Sequence, residues 1–391
     1  MTAVTNNEDQ ISSHKGHPGK AIMKQRRIRR VRPAAIITTA AYLACSSLGT
    51  VSFAALKGGD HIAKDARISD VTFGDSASFV MPGVLLVNEH LRVRIVDNAP
   101  RINSVDYAPL PGYNGIASLV ATGQGRDIFA PAGLDYECSS TTPRMGKRAD
   151  LWNAPRVAPI ILNSIDGHTV RLAQAGSEAA GLNAEITYHL EDDHIDQTIT
   201  TWPDSDIQSS STFWASYMLF VQNTSLYLRG KTSDMAHTSW LEMTSAGHNG
   251  SGSGTYFRPC DPEGKQWYEF LTDNPVRRQA IVESPDSRAL TERAGFRPGT
   301  LTSFDNFFFG FVDDYVALWI FRKPTEGQFS PWISASGNQA LRRPAADFSI
   351  QSGPQKAGER RTFAVRFVYK PYAGLDDLLK EVERFQTGRN R

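Results

Sequence analysis

Short runs in which apolar and polar residues alternate dominate the chain and predict β-strands. Residues 91–96 read Leu-Arg-Val-Arg-Ile-Val, so three apolar side chains share one face and two arginines share the other. Residues 362–369 repeat this period of two, with Phe363, Val365 and Phe367 on one side. The alternation predicts strands that bury one face against a core and keep the opposite face polar.

Turn-forming residues separate the apolar runs at three places and predict β-hairpins. Asp-Gly at 166–167 interrupts residues 160–172, and glycine accepts the positive φ that a type I′ turn requires. Asp-Asp at 192–193 and at 313–314 divides two further pairs of runs. Antiparallel strand neighbours are therefore expected along much of the chain.

The hairpin at 192–193 has one apolar and one polar face. A two-residue loop pairs Glu191 with His194 and His189 with Asp196. The predicted core face carries Ile186, Tyr188, Leu190, Ile195 and Ile199. The other face carries Glu185, Thr187, His189, Glu191, His194, Asp196 and Thr198. It is either a ligand face whose His–carboxylate pairs exchange protons near neutral pH, or an ordinary solvated sheet surface.

A helical pattern is persuasive only near the C-terminus, at residues 375–385. Its apolar stripe carries Leu375, Leu378, Leu379 and Val382. No fixed-period repeat and no Pro/Ser linker divides residues 75–391. The sequence therefore predicts an all-β protein, a large antiparallel β-sandwich with a short C-terminal helix. Residues 81–391 are expected to form this single domain, after an N-terminal extension at 55–80.

The first residues of the chain differ in charge from the rest. Residues 1–33 hold eight basic and two acidic side chains, and residues 34–56 hold no charge. This order predicts a leader and signal peptide at 1–54, cleaved after Ala54, and a periplasmic or secreted location. The alternatives are a retained membrane anchor and a lipid on Cys45.

Composition and charge exclude several classes of protein. The 391 residues are 40% hydrophobic with only three Cys, which excludes collagen-like, disordered and disulfide-framework chains. The formal net charge of +1 gives no general attraction to nucleic acid. Taking +6 for the leader from that total leaves residues 55–391 with −5. Cys138 and Cys260 either pair in an oxidising compartment or are isolated buried thiols.

Candidate catalytic residues lie mainly in a glycine-containing segment, residues 232–261. His248, in Gly-His-Asn, is the first acid/base candidate and His237 the second, because imidazole titrates near neutral pH. Glu137, after an extended segment, is the candidate carboxylate partner. Arg258 is a candidate for gripping a sugar. The alternative for this segment is a solvated loop with incidental histidines.

Further candidates for substrate binding lie outside that segment. Arg144 in a basic loop is a candidate to neutralise a substrate carboxylate, unless the loop is simply solvated. Trp267, beside polar residues, offers an apolar surface to a sugar ring, and Asp305 is expected to face a cavity. No CxxC, HExxH or clustered Cys/His spacing occurs, so neither a metal nor a cofactor is expected. No Gly-x-Ser-x-Gly motif supports serine hydrolysis.

Six short stretches between residues 80 and 385 carry a resemblance to a known family. They are Tyr113-Asn-Gly-Ile-Ala-Ser-Leu-Val, Ala130-Pro-Ala-Gly-Leu-Asp-Tyr-Glu, Phe213-Trp-Ala-Ser-Tyr, Phe304-Asp-Asn-Phe-Phe-Phe-Gly, and Ala346-Asp-Phe with Arg366-Phe-Val-Tyr-Lys-Pro. They resemble exported bacterial proteins of the galactose-mutarotase-like superfamily. The resemblance implies a β-supersandwich with a concave sheet face that binds carbohydrate.

The resemblance also implies carbohydrate chemistry of the epimerase, glycoside hydrolase or polysaccharide lyase type. Mutarotases use a His acid and a Glu base, which this resemblance does not assign to particular residues here. The expected function is acid/base processing of an oligo- or polysaccharide by an exported protein, and the alternative is a non-catalytic glycan-binding lipoprotein. Because residues 55–391 are acidic, a uronate would need a local basic pocket, which favours neutral sugars. No nucleic acid partner is expected, and membrane association only through the leader or Cys45.

Overall fold

The computed structural model describes twelve ranges of the chain. They are residues 71–73, 77–79, 83–98, 114–125, 127–141, 159–175, 181–218, 225–245, 255–260, 295–322, 329–338 and 343–388. Within residues 60–391 the chain forms one compact unit. The predicted leader at 1–54 and the glycine-rich stretch at 247–254 lie outside the described residues.

Almost all of the described secondary structure is β-strand. The strands are β1 Val71–Phe73, β2 Ala77–Phe79, β3 Val84–Val87, β4 Leu91–Val96, β5 Gly115–Ala121, β6 Phe129–Thr141, β7 Ile160–Ser164, β8 Thr169–Gln174, β9 Leu182–Glu191, β10 His194–Pro203, β11 Ser209–Met218, β12 Leu226–Thr232, β13 Ser239–Ser245, β14 Thr255–Pro259, β15 Arg297–Pro298, β16 Leu301–Val312, β17 Tyr315–Phe321, β18 Phe329–Asn338, β19 Arg343–Ser352 and β20 Arg361–Pro371. The helix α1 spans Leu375–Thr387, where the apolar stripe predicted one.

The strands form two large antiparallel sheets. The larger sheet has eleven strands in the order β15-β14-β13-β12-β16-β17-β20-β10-β9-β8-β7, and the smaller has seven in the order β18-β19-β11-β6-β5-β4-β3. The short strands β1 and β2 pair with each other. The predicted all-β class, with large antiparallel sheets and a short C-terminal helix, is confirmed.

The predicted hairpins are confirmed, and their registers show which residues lie opposite each other. Residues 166–167, 192–193 and 313–314 connect β7 with β8, β9 with β10, and β16 with β17. Glu191 pairs with His194 and His189 with Asp196, as the two-residue loop requires. The apolar faces of β8, β9 and β10 turn into the core, whereas β16 and β17 bury apolar side chains on both faces.

Aromatic side chains from both sheets meet in the core between them. The Trp214 ring, on the smaller sheet, lies 5.8 Å from the Phe363 ring on the larger one, and Phe129 lies 5.7 Å from Phe367. All four side chains are buried. Contacts of this kind are typical of two sheets packed face to face.

Strand β4 departs from simple alternation at Arg94. The sequence predicts a polar position, but the structure buries this side chain to 1% exposure, at a point where the register with β5 shifts. The charge of Arg94 acts on Asp127, which is also buried and accepts hydrogen bonds at Oδ1 from the backbone N–H groups of Leu119 (3.1 Å) and Phe129 (2.9 Å). Burial nevertheless raises the pKa of Asp127 to about 7.

Helix α1 covers the centre of the outer face of the larger sheet, the face turned away from the core. Its buried residues Leu378, Val382 and Phe385 pack in one apolar cluster with Tyr227, Phe307, Phe309, Phe311, Val316, Leu318, Ile320 and Val368. Arg366 of β20 holds the helix, because its Nη1 donates to Glu381 at 2.9 Å. Among the described residues, no helix is long and apolar enough to cross a membrane.

Candidate functional site

Beside the helix, the outer face of β8, β9 and β10 carries accessible polar side chains. Alternation along these strands places them on one surface because their neighbours in sequence point into the core. We call this surface the polar strip; it consists of Thr169, Arg171, Glu185, Thr187, His189, Glu191, Asp196, Thr198, Thr200 and Trp202. It contains the polar hairpin face that the sequence predicts, except His194, which lies on the same face but is buried.

At one end of the polar strip, Glu191 lies between two imidazoles. Its Oε1 is 3.4 Å from His189 Nε2, and its Oε2 is 3.5 Å from His194 Nε2. The side chains of His189 and Glu191 are 42% and 54% exposed, whereas that of His194 is 9% exposed. His189 Nδ1 is hydrogen-bonded to Thr169 Oγ1 at 2.9 Å. The carboxylate and both rings are therefore close enough to exchange a proton through small movements.

Asp193, a turn residue, sets the orientation of His194. Burial raises the pKa of Asp193, but the hydrogen bond from His194 and the charge of Lys370 outweigh it and hold that pKa below its ordinary value. The ionised carboxylate can only accept, so His194 Nδ1 donates to Asp193 Oδ1 at 3.2 Å. His194 Nε2 then faces Glu191. Lys370 Nζ supports the arrangement from 3.7 Å to Asp193 and 2.9 Å to Asp377 of α1.

At the other end of the polar strip, two arginines surround one carboxylate. Glu185 lies 3.9 Å from Arg171 Nη1 through one oxygen and 3.9 Å from Arg360 Nη2 through the other. The Arg360 guanidinium also lies 3.9 Å from the centre of the Trp202 ring, a cation–π contact. Two positive charges against one negative charge leave this end of the strip locally basic.

Two of the predicted substrate-binding residues are paired with other side chains. Arg258 donates from Nε to Glu242 at 2.6 Å, and Glu242 is 2% exposed, so this arginine neutralises a buried carboxylate. Asp305 is exposed, and its carboxylate lies 3.5 Å from Arg229 Nε. The backbone carbonyl of Asp305 accepts a hydrogen bond from Gln386 at the end of α1.

The predicted catalytic residues are not brought together in the part of the chain that the structure describes. His237 is exposed between β12 and β13. Glu137 lies on β6 opposite Phe213, and its side chain is outside the described part. His248, Arg144 and Trp267 lie outside the described residues.

His189, Glu191 and His194 form what we call the His–Glu–His cluster. This cluster and the Glu242–Arg258 pair lie on the same face but far apart. One row of paired positions runs across eight strands through Arg258, Glu242, Tyr227, Phe309, Leu318, Val368, His194 and Glu191. Seven strand spacings correspond to about 34 Å. The apolar middle of the row lies under α1, so the two polar groups belong to separate surfaces.

Sequence reasoning missed the roles of Asp193, Arg171 and Arg360. The predicted hairpin register already places Trp202 on the face of His194, because the two positions are separated by an even number of residues. Arg360 could not be found in this way, since it reaches Trp202 only after distant β20 pairs with β10. Within the described ranges, no group of three or more His, Cys, Asp or Glu side chains is arranged to hold a metal ion.

No protein-family profile and no curated protein matches the chain. Among solved structures, it is similar to an Escherichia coli K12 protein provisionally described as an aldose 1-epimerase, at 9% identity and a TM-score of 0.43, covering 74% of this chain and 98% of that one. It is also similar to a galactose mutarotase-like protein from Lactobacillus casei ATCC 334, at 8% identity and a TM-score of 0.42, covering 73% and 99%.

A heparan sulfate lyase from Pedobacter heparinus matches at 7% identity and a TM-score of 0.34, covering 74% of this chain and 36% of the lyase.

Proposed function

We propose that the protein binds a carbohydrate along the polar strip and acts on it by acid/base catalysis. The observation that carries the proposal is the position of Glu191, within 3.5 Å of both the His189 and the His194 rings. Epimerases, glycoside hydrolases and lyases all need an acid and a base that reach the same sugar. This cluster has both, mounted on paired strands rather than on a loop.

The division of roles follows from the contacts. Asp193 holds His194 with its buried Nε2 towards Glu191, so this ring positions the carboxylate. The Glu191 carboxylate accepts a proton from a substrate group. His189, tied to Thr169 and 42% exposed, is the acid, and its protonated ring donates to a ring or glycosidic oxygen of the sugar.

The hydroxyl groups of the polar strip are suited to hold sugar hydroxyls next to this cluster. Thr198 is exposed, and Thr187 lies opposite it on β9. Hydroxyls both donate and accept hydrogen bonds, which matches the chemistry of a neutral part of a glycan.

The experiment is a screen of the purified protein against a polysaccharide panel, recording new reducing ends, unsaturated uronate absorbance and anomeric interconversion. The wild type is expected to be active, and activity should fall at least 100-fold in Glu191→Gln and in His189→Gln. Glu383→Gln, at an exposed carboxylate of α1 outside the polar strip, is the matched control and should keep catalytic turnover. Binding without any product would instead indicate a glycan-binding protein.

His248→Ala distinguishes this site from the loop candidate of the sequence. If His248→Ala abolishes activity and Glu191→Gln leaves it intact, the catalytic centre is not on the polar strip. Export forms a second part of the proposal, supported by the basic leader and the uncharged stretch after it. Mass spectrometry of the protein from the medium or periplasm should find Ala55 as the first residue.

A further inference from the structure

The basic end of the polar strip differs from the structural ion pairs of the same sheet. Arg366 binds Asp196 with two hydrogen bonds of 2.7 and 2.8 Å and is 9% exposed. Arg171 and Arg360 approach Glu185 no closer than 3.9 Å, and their side chains are 42% and 52% exposed. Exposed pairs with such geometry contribute little to stability. A role in holding the fold therefore does not account for them.

The side chains of both arginines are exposed enough for a ligand to reach them. Arg360 lies on the Trp202 ring, and this cation–π contact restrains its guanidinium, while about half of the side chain stays exposed. A planar guanidinium matches a carboxylate through two parallel hydrogen bonds.

We infer that this end of the polar strip binds the carboxylate of a uronate unit, so that the substrate is a linear acidic oligosaccharide. The inference rests on the proposed function and names its substrate class. The sequence favours neutral sugars, because the net charge of residues 55–391 is −5. The inference replaces that preference, because Arg171 and Arg360 form a local basic site that the net charge does not reveal. Glu185 lies between the two arginines, 3.9 Å from each.

The spacing of the two ends requires a polymer rather than a single sugar. Glu185 and Glu191 lie on one strand, six residues and about 20 Å apart. A monosaccharide cannot reach from the arginines to the His–Glu–His cluster. Several linked units laid along β9 place one acidic unit at the arginines and another unit at the cluster.

The test is calorimetric binding of an oligogalacturonate and of a neutral galactan oligosaccharide of the same length, at low salt. The wild type should bind the acidic oligosaccharide at least tenfold more tightly, and added salt should reduce the difference. Arg360→Gln and Arg171→Gln should each weaken acidic binding at least fivefold and leave neutral binding unchanged. Arg360→Lys, which keeps the charge and loses the planar fork, should fall between.

Arg229→Gln is the matched control, since Arg229 is a similarly exposed arginine on the same sheet, paired with Asp305. The inference is overturned if the wild type binds both oligosaccharides equally, or if the Arg171 and Arg360 variants lose no more affinity than the control. Arginine-dependent binding without turnover would keep the inference and refute catalysis. Turnover of the neutral oligosaccharide alone would keep catalysis and refute the inference.

Discussion

Replacing Asp127 with Asn isolates the effect of burying one carboxyl group in the core. Asn keeps an oxygen for the backbone N–H groups of Leu119 and Phe129, and it cannot ionise. In the folded protein burial raises the pKa of Asp127 from its ordinary value of 3.8 to about 7. The folded protein therefore binds this proton more tightly than the unfolded chain.

The sign and size of the stability effect follow from this shift. A raised carboxyl pKa stabilises the fold fully below about pH 4, and the contribution is lost as the pH rises through about 7. At about 1.4 kcal/mol per pKa unit, the loss from this one group between pH 5 and pH 8 is about 3 kcal/mol. Asn resembles the protonated carboxyl and does not suffer this loss.

The measurement is urea unfolding of wild type and Asp127→Asn at pH 5 and pH 8. The unfolding free energy of Asp127→Asn minus that of the wild type should be about 3 kcal/mol larger at pH 8 than at pH 5. Asp166→Asn is the control, since the hydrogen bond from the His168 N–H lowers the pKa of that exposed carboxyl and predicts no gain at pH 8. An equal difference between variant and wild type at both pH values would refute the reasoning.

Three further substitutions test packing and the helix. Gln197 is fully buried, and its side-chain amide has no hydrogen-bond partner in the described part, so Gln197→Met should raise the unfolding free energy by about 1 to 3 kcal/mol, measured with urea. Glu381→Ala removes one of the two carboxylate partners of Arg366, and should cost about 2 kcal/mol and speed amide exchange in α1. Gly83 has φ +133°, and a Cβ there would lie 2.3 Å from the Ile95 carbonyl oxygen, so Gly83→Ala should lower Tm with a loss of about 2 kcal/mol or more.

Local patterns were sufficient to predict the elements and one of the surfaces. Asp-Asp at 192–193 defined a two-residue loop, and with it the pairing of Glu191 with His194. Period two then placed the polar hairpin side chains on one face, which proved to be the polar strip. These predictions succeed because turn geometry and strand alternation depend on residues close together in the chain.

The candidate site was harder to predict, because its decisive contacts join distant parts of the chain. Glycines and single histidines indicated a candidate site in residues 232–261, whereas Glu191 and its two neighbouring histidines lie on β9 and β10. Lys370, which supports Asp193, comes from a strand far along the chain. The alternation predicts Arg94 on the polar face of β4, whereas the structure buries it, and its charge acts on the distant Asp127.

By itself the sequence determined which residues share a strand face, where the hairpins turn, and that the chain is all-β with a C-terminal helix. The tertiary structure alone decided which part of the outer face is covered by α1 and which part stays open. It also decided that Arg171 and Arg360 meet around Glu185. The physical reason is that alternation specifies a face locally, whereas exposure and charge neighbours depend on pairings between strands far apart in sequence, such as β10 with β20.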